Sequence, residues 1–201
     1  MFISFEGTEG VGKSTLIKRV HDHFLEKNKE IILTREPGGT ALAEKVRNLL
    51  LQVDETETMC ADTELLLIYA ARSQHLNQVI LPALKEGKVV LSDRFTDASF
   101  AYQVKGRGLS QQKLELLNET FVPKMPDITF WLDAPIEVGM SRARARGELD
   151  RFEKEKLSFF SKVREGYAYL YEKHPKRIYK IDATCSEAEV FQQVLDILNA
   201  F

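Results

Sequence analysis

Residues 7–14 read Gly-Thr-Glu-Gly-Val-Gly-Lys-Ser and match the pattern G-x-x-x-x-G-K-[ST]. The apolar run 2–6 before them predicts a strand, and the periodic stretch 13–27 after them predicts a helix. In this strand–loop–helix context the pattern binds phosphate, because the glycines let backbone N–H groups turn inward at the positive end of the helix. The predicted nucleotide site comprises Gly7, Thr8, Glu9, Gly10, Val11, Gly12, Lys13, Ser14 and Thr15.

Three side chains around this loop have separate expected roles. Lys13 is expected to reach the β- and γ-phosphates of the nucleotide, and the Ser14 hydroxyl is expected to ligate Mg²⁺. Asp93 ends a predicted buried strand beside the loop, so its carboxylate is the second expected holder of Mg²⁺ or of its waters. The loop therefore predicts a bound nucleotide polyphosphate together with Mg²⁺, and which nucleotide it binds is a separate question.

The rest of the chain alternates short apolar runs with longer helical patterns. The predicted strands are 2–6, 30–34, 88–92, 128–132 and 177–181, and the predicted helices are 13–27, 40–51, 62–86, 97–104, 110–120, 136–146, 153–173 and 186–199. Pro82 is expected to bend or divide the helix 62–86. Five strands separated by helices predict an α/β fold, with a five-stranded parallel sheet covered by helices on both faces. Ligands bind such sheets beyond the carboxyl ends of the strands.

Length and composition are those of one globular domain over 1–201. Lys plus Arg is 28 and Asp plus Glu is 30, a net charge of −2, which argues against nucleic acid or an anionic membrane as the main partner. The longest apolar run, 65–71, has seven residues, whereas a membrane-spanning helix needs about 20. Cys60 and Cys185 fit neither a disulfide framework nor a metal spacing, and no targeting signal is evident, so the expected compartment is the cytoplasm.

Two other classes of protein have to be considered as explanations of this phosphate loop. A GTPase needs Asn-Lys-x-Asp, but the one Asn-Lys pair, Asn28-Lys29, is followed by Glu30 and Ile31. A nucleotide-dependent switch would not need a second set of residues shaped for an acceptor. A small phosphotransferase is the reading that remains.

Five segments together resemble the thymidylate kinase family, in order and in spacing, over essentially the whole chain. They are 5–14, Thr-Arg-Glu-Pro-Gly-Gly-Thr at 34–40, Ala-Arg-Ser-Gln at 71–74, Ser-Asp-Arg-Phe at 92–95 and the arginine-rich 142–151. The resemblance implies a P-loop nucleoside monophosphate kinase that transfers the γ-phosphoryl group of ATP to dTMP, giving dTDP and ADP on the route to dTTP. It also implies Mg²⁺ and a homodimer. Another P-loop deoxynucleotide or nucleoside kinase is the alternative.

The resemblance also assigns residues to the acceptor nucleotide. They are Glu9, Arg35, Pro37, Ile68, Arg72, Arg94, Ser99, Tyr102 and Gln103. Glu9 is expected to bind the 3′-hydroxyl of the deoxyribose, which suits a carboxylate because it only accepts hydrogen bonds. Arg35 and Arg94 are expected at the acceptor phosphate, where a guanidinium can donate two parallel hydrogen bonds, and Arg94 is also expected to assist catalysis.

The resemblance assigns the remaining residues to the base and the sugar of the acceptor nucleotide. Arg72 is expected to hydrogen-bond the base, Pro37 to line its pocket and Ser99 to contact its edge. Tyr102 and Gln103 are expected to block a ribose 2′-hydroxyl. Ile68 departs from the family, which usually has a Phe stacked on the thymine at this position, so Ile68 can cover the ring only by dispersion.

A segment at about 141–152 is predicted to act as a lid, with Gly147 as its hinge. Clustered arginines repel one another unless an anion lies among them, and a polyphosphate is such an anion. In the phosphate loop the residue after Glu9 is Gly10 and not an arginine. The resemblance to the bacterial type therefore implies that the catalytic arginine comes from the lid. Arg146 and Arg151 are the expected catalytic residues; Arg142 is expected over the adenine, and Asp182 in the adenine-side loop.

Overall fold

The computed structural model describes residues 1–54, 56–145 and 150–201. Its strands are β1 Phe2–Glu6, β2 Ile31–Arg35, β3 Val89–Asp93, β4 Ile128–Asp133 and β5 Ile178–Asp182. They pair in parallel in the order β2-β3-β1-β4-β5. The predicted five-stranded parallel sheet is confirmed, and each strand lies within one residue of its predicted bounds.

Helices connect the strands on both sides of the sheet. They are α1 Lys13–Glu26, α2 Ala41–Leu51, α3 Ala61–His75, α4 Leu81–Lys85, α5 Thr96–Ser99, α6 Gln111–Phe121, α7 Ile136–Ala145, α8 Leu157–Lys173 and α9 Glu187–Leu198. Two segments widen to π-helical geometry: Leu76–Ile80 joins α3 to α4, and Phe100–Gly106 continues α5. The predicted helix 62–86 is thus divided before Pro82, and the predicted helix 97–104 is α-helical only at its start.

The two faces of the sheet carry separate hydrophobic clusters. On one face Ile3 and Phe5 pack with apolar residues of α1 and α9. On the other face Trp131 packs with apolar residues of α2, α3, α6, α7 and α8. Neighbouring residues of one strand point to opposite faces, which is why Phe130 belongs to the first cluster and Trp131 to the second. Burial on both faces explains why the central strands β1, β3 and β4 are mostly apolar in sequence.

The start of α8 differs from its prediction. The helical pattern suggested a start at 153, but the helix begins at Leu157. The carboxylate of Asp150 accepts hydrogen bonds from the backbone N–H groups of Phe152 and Glu153, each at 2.9 Å. These bonds hold 150–153 in a turn, because an Asp side chain competes with the helix for nearby backbone donors.

The carboxyl ends of the strands meet at one edge of the sheet. Phe5 of β1 lies beside Asp93 of β3, and Asp93 lies beside Arg35 of β2. The phosphate loop leaves β1 at this edge, so the loops that follow β1, β2 and β3 are neighbours. Among the residues that the structure describes, no helix is long and apolar enough to cross a bilayer.

Candidate active site

The loop 7–14 packs closely against the rest of the sheet edge. Gly10 has φ +69°, and a Cβ there would lie 1.9 Å from the carbonyl oxygen of Gly139. Only glycine fits this position, both for its backbone conformation and for the close approach of α7. Lys13 Nζ folds back over the loop and donates to the carbonyl oxygens of Gly7 (3.2 Å) and Thr8 (2.8 Å). Burial lowers the pKa of this ammonium group.

A cavity of about 450 Å³ opens in front of this loop. Its wall includes the cations Lys13, Arg35, Arg47, Arg94 and Arg142, together with Ser14, Thr15 and the carboxylates Glu9, Glu36, Asp93, Asp150 and Glu153. Such a concentration of cationic side chains at the start of a helix favours a polyphosphate ligand. We refer to it as the phosphate cavity.

A smaller cavity of about 100 Å³ adjoins the phosphate cavity. Its apolar wall consists of Pro37, Leu51, Ile68, Phe95, Ala98 and Phe152, and its polar side chains include Arg72, Ser99, Tyr102 and Gln103. Glu9, Glu36, Arg47, Arg94 and Asp150 line both cavities. Pockets for drug-sized ligands measure about 300–1,000 Å³, so the smaller cavity suits one planar ring rather than a whole nucleotide. We refer to it as the ring cavity.

Arg94 joins the two cavities. Its backbone has φ +70°, in the left-handed region, which is costly for a residue with a side chain and is characteristic of functional sites. Its guanidinium donates to the carbonyl oxygen of Gly7 at 2.8 Å and to Glu9 Oε1 at 2.6 Å. Tyr102 donates to the same Glu9 oxygen at 2.8 Å. The strained backbone thus directs Arg94 at the phosphate loop.

Glu9 is ionised in this arrangement. Burial by itself would raise the pKa of its carboxyl group, but the charges of Arg94 and Lys13 outweigh that effect and lower it to about 2. Both hydrogen bonds go to Oε1; Oε2 accepts none from the residues that the structure describes. The second oxygen is therefore available to a ligand hydroxyl.

Arg72 lies almost fully buried beneath the ring cavity, with 2% of its surface exposed. Its Nε donates to Glu36 Oε2 at 2.7 Å, and its Nη2 donates to the carbonyl oxygen of Phe95 at 3.2 Å and to Ser99 Oγ at 3.0 Å. Its Nη1 is buried and has no partner in the described part of the chain. Because buried donors are nearly always paired, this nitrogen is a candidate donor to a ligand atom in the ring cavity.

Comparison with known proteins gives a consistent result. The thymidylate kinase family model matches residues 5–194. A thymidylate kinase of Acinetobacter baumannii is 68% identical over 198 residues, which cover 98% of this chain and 100% of the relative. One from Acinetobacter baylyi is 64% identical over 200 residues, 100% of this chain and 99% of the relative. The crystal structure of thymidylate kinase from Ehrlichia chaffeensis, 33% identical, covers 98% of both chains with a TM-score of 0.80. The chain belongs to the thymidylate kinase family.

Membership of the thymidylate kinase family confirms the resemblance found in the sequence. The chain is a nucleoside monophosphate kinase, which transfers a phosphoryl group from ATP to dTMP on the route to dTTP. The alternative of another P-loop deoxynucleotide or nucleoside kinase is not supported.

The structure brings most of the residues assigned from the sequence to the two cavities. Those lining one or both are Glu9, Gly10, Val11, Gly12, Lys13, Ser14, Thr15, Arg35, Pro37, Ile68, Arg72, Asp93, Arg94, Ser99, Tyr102, Gln103 and Arg142. Arg142 also lines a third cavity of about 360 Å³, together with Ala183 and Cys185. Asp182 precedes that wall, and its carboxylate accepts hydrogen bonds from the backbone N–H and the hydroxyl of Thr184.

Arg151 lies away from the phosphate cavity. Its Nη1 is 2.7 Å from Glu64 Oε2, and its Nε donates to the carbonyl oxygen of Leu50 at 2.6 Å. Glu64 also accepts a hydrogen bond from Gln103 of the ring cavity, at 2.8 Å. In this arrangement Arg151 is connected through Glu64 to Gln103 of the ring cavity. Its catalytic role stays a prediction, and Arg146, the other expected catalytic arginine, lies outside the described residues.

Eight residues that line the cavities were not predicted: Glu36, Arg47, Leu51, Phe95, Ala98, Asp150, Phe152 and Glu153. Glu36 and Arg47 line both cavities, and Phe152 lines the ring cavity. Arg47 had a detectable signal: it is four residues after Ala43 and three before Leu50, both fully buried, so it lies on the inner face of α2. An arginine on an inward helix face is a candidate for binding an anion. Its Nη1 donates to the carbonyl oxygen of Pro37 at 2.9 Å.

Proposed function

We propose that the acceptor dTMP spans the two cavities, with its thymine in the ring cavity and its phosphate in the phosphate cavity. The observation that carries the proposal is the buried, unpartnered Nη1 of Arg72 at the ring cavity. Arginine only donates hydrogen bonds, and thymine presents carbonyl oxygens, which only accept them. We assign the 4-carbonyl oxygen of thymine as the acceptor; cytosine carries an amino group at that position, so it would leave the donor of Arg72 unpaired.

An aromatic contact to the base comes, in this proposal, from Phe152. The family usually stacks a Phe at the position of Ile68, and both Ile68 and Phe152 line the ring cavity. Arg151 Cζ lies 4.4 Å from the centroid of the Phe152 ring, and the buried Glu64 holds Arg151. This cation–π contact fixes the Phe152 ring. The ring, at the end of the lid segment, then provides the aromatic contact to the base that Ile68 cannot make.

Glu9 and Tyr102 select the deoxyribose. The unused Oε2 of Glu9 accepts the 3′-hydroxyl, and the Tyr102 hydroxyl, bonded to Oε1, holds the aromatic ring where a 2′-hydroxyl would need space. Burial raises the pKa of Tyr102 well above its usual value, so its hydroxyl remains a donor to Glu9. Gln103, held by Glu64, completes this wall. A steric barrier of this kind rejects a ribonucleotide by making its binding unfavourable.

Catalysis follows from alignment and from neutralisation of charge. The phosphate of dTMP is already anionic at neutral pH, so it attacks the γ-phosphorus without a general base. Arg35, Arg47 and Arg94 hold the acceptor phosphate, while Lys13 binds the donor phosphates. We propose that Arg146 of the lid stabilises the charge on the transferring group, with Arg151 as the second choice. Arg142, which lines both the phosphate cavity and the third cavity, lies over the adenine beside the loop of Asp182.

Ser14 and Asp93 are the residues that would hold Mg²⁺. Both line the phosphate cavity, and Asp93 Oδ1 is buried with no hydrogen-bond partner in the described part of the chain. Mg²⁺ usually takes one or two carboxylates together with phosphate oxygens and waters, so this donor set fits. When bound, the ion would neutralise charge on the phosphate oxygens.

Arg72→Lys tests the assignment of the ring cavity. Lysine keeps the positive charge beside Glu36 but lacks the forked donors, so the hydrogen bond to the base is lost. A hydrogen bond to a charged group contributes about 1.5–3 kcal/mol, and we expect KM for dTMP to rise at least about 10-fold with KM for ATP nearly unchanged. Steady-state kinetics with each substrate varied in turn measure this. An unchanged KM for dTMP would contradict the assignment.

We also propose a homodimer that buries the outer faces of α2, α3 and α6. Their exposed apolar side chains are Leu42, Leu49, Leu66, Leu116 and Phe121, of which Leu66 and Leu116 are about three-fifths exposed (59% and 63%). α3 packs against both other helices. Apolar side chains grouped in this way are typical of protein interfaces. Sedimentation equilibrium is expected to give twice the chain mass of 23.0 kDa, and a 23.0 kDa species at micromolar concentration would contradict the proposal.

Residues 1–201 are proposed to act as one kinase domain in which the segment at about 141–152 closes as a lid. Asp150 and Phe152, at the end of this segment, already line the ring cavity, which supports a role for the segment in enclosing the acceptor. The proposed compartment is the cytoplasm, where a kinase of this family finds ATP and dTMP.

A further inference from the structure

We infer that His75 is a positioning residue for the acceptor base: it holds Glu36, and through Glu36 it holds Arg72 with Nη1 at the ring cavity. The inference rests on the proposal that Arg72 binds the thymine. His75 itself lines neither cavity. It therefore acts through its neighbours and not by contact with dTMP.

A continuous chain of hydrogen bonds joins β2 to Arg72. Thr34 Oγ1 lies 2.6 Å from His75 Nε2, and His75 Nδ1 lies 3.1 Å from Glu36 Oε1. Glu36 then accepts from Arg72 Nε through its other oxygen, at 2.7 Å. His75, Glu36 and Arg72 are each at most 3% exposed. Water therefore has little access to these groups, and each depends on its protein partners.

The partners determine which way each hydrogen bond runs. The Glu36 carboxylate, paired with Arg72, only accepts, so His75 Nδ1 must carry a proton and donate it. His75 Nε2 is then the acceptor for the hydroxyl of Thr34 in the neutral ring. Every polar atom of the imidazole has a complementary partner in this assignment. The ring is held at both nitrogens and supports Glu36 from one side.

Glu36 needs this support to orient Arg72. Each of its oxygens takes one hydrogen bond, from His75 on one side and from Arg72 on the other, so the plane of the carboxylate is fixed. Without the bond from His75 the carboxylate can rotate. Arg72 Nη2 stays bonded to Phe95 and Ser99, but the guanidinium loses its fixed partner at Nε and its Nη1 donor tilts. The displacement of a donor by a fraction of an ångström weakens a directional hydrogen bond to the base.

The loop after β2 also rests on His75. A Cβ at Gly39 would lie 2.5 Å from His75 Cδ2 and 2.6 Å from Thr34 Oγ1, so the backbone there contacts both side chains. This loop carries Pro37, which lines the ring cavity. His75 thus supports two walls of the cavity at once, although it lies outside it.

Two amide substitutions separate the two nitrogens of His75. In His75→Asn the amide nitrogen lies near the position of Nδ1 and can still donate to Glu36; in His75→Gln it lies near the position of Nε2 and reaches only Thr34. We expect the KM of His75→Asn for dTMP to stay within about 3-fold of the KM of the unsubstituted protein. We expect His75→Gln to raise it about 10-fold, which corresponds to the loss of one hydrogen bond to a charged group. In both variants kcat and KM for ATP should stay within about 2-fold.

The base selectivity provides a second readout. His75→Gln is expected to reduce the preference for dTMP over dCMP, measured as the ratio of kcat/KM values, because that preference depends on the orientation of Arg72.

Thr34→Val and Thr34→Ser form a matched pair: valine keeps the shape but removes the hydroxyl, and serine keeps the hydroxyl. Thr34→Val should raise KM for dTMP by about 3-fold and Thr34→Ser by less than 2-fold.

The outcomes distinguish this inference from the proposed function. If Arg72→Lys leaves KM for dTMP unchanged, the ring cavity is not the base site and the proposed function fails. If Arg72→Lys raises KM for dTMP but His75→Gln does not, the base site stands and the role of His75 is refuted. If His75→Gln and His75→Asn lower kcat and raise both KM values alike, with a parallel fall in Tm, His75 is only structural and the inference is also refuted.

Discussion

Replacing Lys13 by alanine is expected to lower kcat at least about 1,000-fold and to leave the fold intact. The ammonium group lies against the backbone of the phosphate loop, where it donates hydrogen bonds to the carbonyl oxygens of Gly7 and Thr8. These partners belong to the loop itself, so the hydrophobic core does not depend on them. Lys13 therefore acts mainly on the charge of the transferring phosphoryl group, and little on stability.

A coupled assay of ADP release measures the loss, with circular dichroism and thermal unfolding as checks on the fold. Lys18→Ala is the matched control, because Lys18 lies on the same helix, is exposed and lines neither cavity. The control should keep its activity. If Lys13→Ala retained more than about a tenth of kcat while Lys18→Ala was unaffected, the phosphate loop would not have the role assigned to it here.

Arg94→Ala is expected to reduce kcat/KM for dTMP by about 100- to 1,000-fold, as expected for a lost donor to a reacting anion. The guanidinium lies between the two cavities, 2.6 Å from Glu9 and 2.8 Å from the carbonyl oxygen of Gly7, so its loss removes a contact to the acceptor phosphate and frees Glu9. The uncompensated carboxylate of Glu9 would then repel the phosphate of dTMP. KM for ATP should change by less than about 3-fold.

Arg177→Ala provides the contrast for this second prediction. Arg177, like Arg94, pairs with a carboxylate, donating two hydrogen bonds to Asp97 at 2.6 and 2.8 Å, but it lines neither cavity. Its removal should lower Tm because it leaves a buried carboxylate unpaired, and it should leave the KM for dTMP unchanged. An equal loss of dTMP use and ATP binding in Arg94→Ala would show that Arg94 supports the loop in general and does not serve the acceptor.

The sheet was predictable because its strands are short and mostly apolar, and because the three central strands β1, β3 and β4 are buried almost throughout. Apart from the start of α8, each predicted helix start lies within one residue of its observed position. Thr40 is the N-cap of α2, and its side chain accepts a hydrogen bond from the backbone N–H of Ala43. The start of α8 was missed because Asp150 binds backbone N–H groups that the helical pattern had counted as helix. The π-helical segment 76–80 has no periodic signature that separates it from an α-helix.

In the site, too, the part formed by one continuous stretch of sequence was predictable, and the part formed by residues distant in the sequence was not. Residues 7–14 form one continuous motif, so spacing alone predicted where the phosphates bind. Glu36 and His75 are 39 residues apart and become a hydrogen-bonded pair only when α3 packs beside the loop after β2. Likewise, Ile68 looked like an unexplained loss of an aromatic contact, because the sequence could not show that Phe152 enters the same cavity.

The most direct test of the account is a comparison of acceptors in one coupled ADP-release assay with ATP and Mg²⁺: dTMP, dUMP, dCMP, the ribose form of TMP, thymidine, AMP and GMP. We expect dTMP to exceed dCMP by at least about 100-fold in kcat/KM, because dCMP would leave the buried donor of Arg72 unpaired. The ribose form should also be poor, and thymidine, which lacks the acceptor phosphate, should not react. Turnover of dCMP or of the ribose form at a rate comparable to that of dTMP would contradict the assignment of the ring cavity to thymine and of its wall to the deoxyribose.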